Sequence, residues 1–125
     1  MTIDQFRRMV LEIPTAVEQS HMNHPDFRIA GRIFASVGVP DENWGMVKLM
    51  PEQQRASVEK APEVFKPSSG AWGRQGYTNV YLPAAKAAIV RAALNAAAKN
   101  VASQKRKKNA QRSTSNVQRP MNRQS

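Results

Sequence analysis

Hydrophobic positions along the chain follow two rhythms. Phe6, Met9, Val10 and Ile13 recur at helical spacing. Thr2 and Gln5 stand at the spacing of a capping box, and Asp4 suits the first turn. Pro14 stops the run, because the residue before a proline avoids the α region. The spacing predicts a helix over Ile3–Glu12. Ala16–Asn23 reads as a strand. Phe27 and Ile29 then alternate, Ala30-Gly31 makes a tight turn, and Ile33, Ala35 and Val37 alternate again, which is the pattern of a β-hairpin. A turn cluster follows at Pro40–Asn43, and Met46–Leu49 reads as a further strand.

Pro51 suits the first position of a second helix, with Glu52 in its first turn and Pro62 ending it. Met50 would be the N-cap and lacks the side-chain oxygen that a cap normally supplies. Pro67–Gly76 is rich in Gly and Ser and reads as a loop. Tyr77–Leu82 reads as a strand. Pro83 opens a last helix with a buried stripe of Val90, Leu94, Ala97 and Val101, flanked by Ile89 and Ala93. From Ser103 onward the chain is mostly Gln, Lys, Arg, Asn, Ser and Thr, with almost nothing to bury, and is expected to be disordered. The fold class is therefore α+β: an antiparallel sheet covered on one face by helices over residues 1–102, then a disordered basic tail over 103–125.

Alternation also assigns an outer face. If Phe27, Ile29, Ile33, Ala35, Val37, Val47, Leu49, Val80 and Leu82 face the helices, then Arg28, Arg32, Phe34, Ser36, Lys48, Asn79 and Tyr81 face away. Cations meet phosphates and aromatic rings stack on exposed bases, so this mixture fits nucleic acid. The other reading is a solvated sheet face whose charges discourage edge pairing.

Charge sharpens the division. The 125 residues carry a net +10. Residues 1–102 hold twelve Lys and Arg against all nine acids, a net +3, whereas 103–125 hold seven cations and no acid, a net +7. The run Lys105, Arg106, Lys107 and Lys108 is a basic arm of the kind that binds nucleic acid without sequence preference.

There is no cysteine, which excludes disulfides, thiolate catalysis and Cys-ligated metal centres. His21, His24 and Asp26 lie close in sequence, but no helix places them on one face, and no metal or other cofactor is expected. No nucleophile elbow, Walker motif or catalytic carboxylate pair is present, so a non-enzymatic role is expected. The N-terminus lacks the apolar core of a signal peptide, and Leu82–Ala98 is broken by Lys86, Arg91 and Asn95. A soluble, cytoplasmic protein without membrane contact is expected.

Three blocks in order carry a resemblance. They are Ser20–Ile29 with Gly31–Ala35, Trp44–Leu49 before a Pro-Glu-Gln helix start, and Ala71–Gly76 leading into a strand. The chain resembles the MmcQ/YjbR family over roughly Ile3 to Val101. The resemblance implies a fold like that of the bacterial frataxin homologue CyaY, and it brings that family's DNA-binding label. Its recurring polar and aromatic positions fall on His24, Arg28, Lys48, Trp72 and Arg74. Met50 stands where Thr or Asp is usual, Asn23 where Gly is common, and Tyr77 at a variable position. The basic tail lies outside the family core.

Three functions follow as expectations. The first is a DNA-binding protein that grips the phosphate backbone through Arg28, Arg32, Lys48, Trp72, Arg74 and the Lys105–Lys108 run. The second is a protein-interaction module. The third is a small-molecule binder using His24, Trp72 and Arg74. Trp72 either plugs the core edge or stands exposed, and Arg74 either grips a phosphate or pairs with Asp26 or Glu18.

Overall fold

The computed structural model describes residues 1–21 and 24–114, with side-chain surroundings for residues 1–20 and 24–103. Helix α1 (Ile3–Leu11) leads into strands β1 (Val17–His21), β2 (His24–Ile29), β3 (Arg32–Val37) and β4 (Trp44–Lys48). Helix α2 (Pro51–Lys60), strand β5 (Phe65–Pro67), helix α3 (Gly70–Arg74), strand β6 (Tyr77–Tyr81) and helix α4 (Ala87–Thr114) follow. The six strands form one antiparallel sheet in the order β1-β2-β3-β4-β6-β5. This is the α+β architecture that the periodicity predicts.

Helix α1 begins as its sequence dictates. The Thr2 hydroxyl accepts from the Gln5 amide at 3.1 Å, and the Gln5 side chain accepts from the Thr2 amide at 2.8 Å. Met50 gives α2 no side-chain cap, but Gln53 Oε1 accepts from the Met50 amide at 2.8 Å. Helices α1 and α4 cover one face of β2, β3 and β4. Phe6, Phe27, Val47, Val80, Val90, Leu94 and Ala97 fill the core between them. At Gly45 α1 comes close to the sheet. A Cβ there would lie 3.0 Å from the Phe6 ring, tighter than a Cβ normally tolerates.

The hairpin turn is as read, but the strand after it is not. Ala30 and Gly31 both take positive φ, 53° and 81°, as a two-residue hairpin turn requires. Phe27 pairs with Ala35, yet its neighbour Arg28 pairs with Ile33, so Phe34 is an extra residue in β3. This bulge breaks the alternation. Phe34, expected on the outer face, is fully buried. Ile33, expected in the core, takes the place opposite Arg28 and is half-buried. Arg32 pairs with the buried Ile29 and shares its face by register, so it leaves the outer face to which alternation assigned it.

Three further differences concern boundaries. The Pro67–Gly76 loop holds the end of β5 and all of α3, elements too short for periodicity to mark. Pro83 falls in a 3-10 turn over Leu82–Ala84, and α4 opens only at Ala87. At its other end α4 runs past Ala102 to Thr114, taking in residues that composition assigns to a disordered tail. Lys, Arg, Gln and Ala there are all strong helix formers. Residues 115–125, the remainder of the expected tail, lie outside the described residues. No helix among the described residues is long and apolar enough to cross a membrane.

Candidate functional site

The face of the sheet away from α1 and α4 carries a cavity of about 630 Å³. That lies within the roughly 300–1,000 Å³ of small-ligand sites. Its floor is built by register. Asp26, Ser36, Met46 and Asn79 stand opposite one another across β2, β3, β4 and β6, and Lys66 of β5 continues the row. His24, Ile33, Tyr77 and Trp72 line its sides. Another cleft, of about 370 Å³ between α2 and α4, is lined largely by alanines and presents Lys60 as its one charged group. The sheet-face cavity is the one equipped for recognition.

Trp72 is 61 % exposed. It does not plug the core edge. Its ring meets Tyr77 edge to face at a centroid distance of 4.9 Å, and Lys48 Nζ sits 4.4 Å from the centre of the same Tyr77 ring. Burial pushes the Lys48 ammonium below the usual lysine range. A cation, a phenol and an indole thus follow one another in contact beside the cavity. A second aromatic pair, Trp44 and Tyr81, lies farther along the same strands with centroids 5.0 Å apart.

Trp72 is held there by a polar anchor that sequence reasoning missed. Gln54 of α2 is buried. Its Nε2 lies 3.0 Å from the carbonyls of Gly73 and Tyr77 and 3.2 Å from Thr78 Oγ1. The Thr78 hydroxyl donates in turn to the Gly76 carbonyl at 2.8 Å. This network fastens the C-terminal end of α3 and the start of β6 to α2. Glutamine three residues after a helix-opening proline reads in sequence as an ordinary surface residue. No signal marks it as a buried donor.

The other sequence-derived positions divide. Arg28 is on the outer face, but its Nε donates to Asp26 Oδ1 at 3.0 Å and its Nη2 to Oδ2 at 3.3 Å. The hydrogen bond to Asp26 raises the Arg28 pKa above the ordinary arginine value. Arg28 is therefore committed to the one acid of the cavity floor. Arg74 is exposed on α3 and pairs with neither acid considered for it, since Asp26 holds Arg28 and Glu18 holds Arg7 at 2.8 Å. His24 is exposed and lines the cavity. Arg32 lies apart, for the reason given above. The backbone of Lys105, Arg106, Lys107 and Lys108 is helical within α4, and their side chains lie outside what the structure describes. Among the described residues no three His, Asp or Glu side chains gather as metal ligands would.

Fold and face together define an α+β protein with a helix-backed antiparallel sheet whose open side carries the cavity. No protein-family model and no curated protein sequence matches the chain. Among solved structures it is similar to the Deinococcus radiodurans protein DR2400, which carries the DUF419 domain, with a TM-score of 0.64. The two share 17 % identity over 77 % of this chain and 75 % of that one, so the likeness is one of fold. DUF419 is the YjbR/MmcQ-like family, which agrees with the sequence resemblance.

Proposed function

We propose that the protein is a non-enzymatic nucleic-acid-binding protein that grips single-stranded DNA on the open face of its sheet. Exposure of Trp72, fixed on a fastened helix at the rim of a cavity beside Lys48, carries this reading. A duplex keeps its bases stacked on one another, out of reach of an indole, whereas a single strand offers their faces. Lys48 supplies a cation at the neighbouring Tyr77 ring, Arg74 lies on the same short helix and Lys66 on the same face of the sheet, and Asp26, the one acid of the floor, is already neutralised by Arg28. The Lys105–Lys108 run would add phosphate contacts without sequence preference. The MmcQ/YjbR resemblance and its DNA-binding label point the same way.

The test is fluorescence anisotropy with a labelled oligothymidine strand and a matched duplex. Single-strand binding should be the tighter, and Trp72→Ala should weaken it about tenfold, in the range of one lost base–aromatic stack. Equal binding of both forms, unaffected by Trp72→Ala, would refute the reading and leave only the attraction of a polycation. A free small molecule is the second reading, because His24 and Trp72 both line the cavity as that hypothesis requires; Arg74 is not among the lining residues.

A further inference from the structure

We propose that the cavity takes one planar heteroaromatic ring of nucleobase size, laid flat on Met46, with its edges read by Ser36 and Asn79 and an attached phosphate directed to Lys66. The inference rests on the open face being a base-binding surface and names what that face recognises.

The register supplies the geometry. Ser36 pairs with Met46, Met46 with Asn79, and Asn79 with Lys66. Neighbouring strands lie about 4.8 Å apart, so Ser36 and Asn79 stand about 10 Å apart at the backbone, with Met46 between them. That leaves the width of an aromatic ring and a hydrogen bond at each edge. Met46 is half-buried and offers a thioether, a polarizable surface that packs well on aromatic rings.

Polarity is set by one hydrogen bond. Ser68 Oγ donates to Asn79 Oδ1 at 2.8 Å. With Oδ1 engaged in that bond, Nδ2 points its two hydrogens the other way. Among the described residues Asn79 Nδ2 donates to no protein group. The Asn79 edge of the cavity is a donor edge, suited to a ring carbonyl or ring nitrogen. The Ser36 edge accepts or donates, and Asp26 lies one strand beyond it with carboxylate lone pairs in addition to those used by Arg28. On the opposite side Lys66 is exposed one strand beyond Asn79, outside the cavity lining but on the same face by register, and the phosphate of a bound nucleotide would extend to it. The row is therefore directional, with the ring towards β3 and the phosphate towards β5.

The probes are the four nucleosides and their 5′-monophosphates, titrated by calorimetry against the whole chain, with the oligothymidine strand run in parallel. A monophosphate should bind more tightly than its nucleoside, and Lys66→Ala should remove that difference. Asn79→Ala should weaken the monophosphate about tenfold, and Met46→Trp, which fills the floor, should abolish its binding. Thermal melting checks that each variant is folded, and Met46→Leu, which keeps the volume, should still bind. If strand binding persists while Asn79→Ala and Met46→Trp leave it unchanged and no mononucleotide binds, the ring pocket is refuted and the open-face reading stands. If mononucleotides bind as described but no strand does, the ring pocket stands and its ligand is a free nucleotide. Mononucleotide binding indifferent to Met46, Asn79 and Lys66 alike would overturn the inference.

Discussion

Gln54 shows how much one side chain can decide. Its amide donates to two backbone carbonyls and the buried Thr78 hydroxyl, and without it the Gly73 and Tyr77 carbonyls keep only the Gly76 and Ser68 amides. Gln54→Ala is expected to lower stability by about 1 kcal/mol, the net worth of a lost hydrogen bond, read by urea denaturation. Because the same bonds hold α3, the variant should also weaken strand binding, although Gln54 itself is shielded from any ligand. Gly73 is a companion case. A Cβ there would run into the Ser68 carbonyl oxygen, and backbone cannot swing aside as a flexible side chain can. Gly73→Ala should destabilise by about 1–3 kcal/mol, as overpacked sites do. Ala30 offers the opposite sign. Its φ of 53° is a strained angle for an L residue, and Ala30→Gly should relieve about 1 kcal/mol, seen as a raised Tm.

At the scale of elements, the bulge in β3 separates two neighbours that alternation would place the other way round. Phe34 is fully buried and Ile33 half-buried. Phe34→Ala should therefore cost about 3–5 kcal/mol in a denaturation series, and Ile33→Ala far less. A larger loss at Ile33 than at Phe34 would mean that the strand keeps an unbroken alternation. Long periodic elements were legible in the sequence: α1, the hairpin, β4, α2 and β6 all stand where apolar spacing and prolines place them. The bulge was not, because an inserted residue changes which face a side chain occupies without changing composition. Nor were β5 and α3, whose short spans hold too few side chains to show a period. The site suffered accordingly. Lys48 and Asn79 stand on the face to which alternation assigns them, Trp72 and His24 line the cavity, Arg32 is displaced by the bulge, and nothing in the sequence marks Met46 or Gln54. They matter through what stands opposite them, and register is a property of the folded sheet.

For the whole molecule, charge is unevenly shared, with +3 on residues 1–102 and +7 beyond. Each phosphate contact on a single strand should steepen the fall of log affinity with log salt by about 0.7. Truncation after Ala102 is expected to flatten that slope while leaving the loss caused by Trp72→Ala intact. Measured by anisotropy across a salt series, this separates recognition by the sheet from attraction by the arm. A slope unchanged by truncation would show that the arm makes no phosphate contact.

The strand order also has a temporal side. Strands β1 to β4 pair with their neighbours in sequence, so each joins the sheet by closing a short loop. Strand β6 must instead return to β4 across residues 49–76, and β5 can add only to β6. Loop closure over a longer span loses more chain entropy before any contact offsets it. The β1–β4 meander is therefore expected to assemble first, with its amides protected early in pulse-labelled hydrogen exchange and those of β6 later. The floor of the cavity belongs to both groups, since Ser36 and Met46 lie on the early strands and Asn79 on the late one. Its completion should mark the last step of folding.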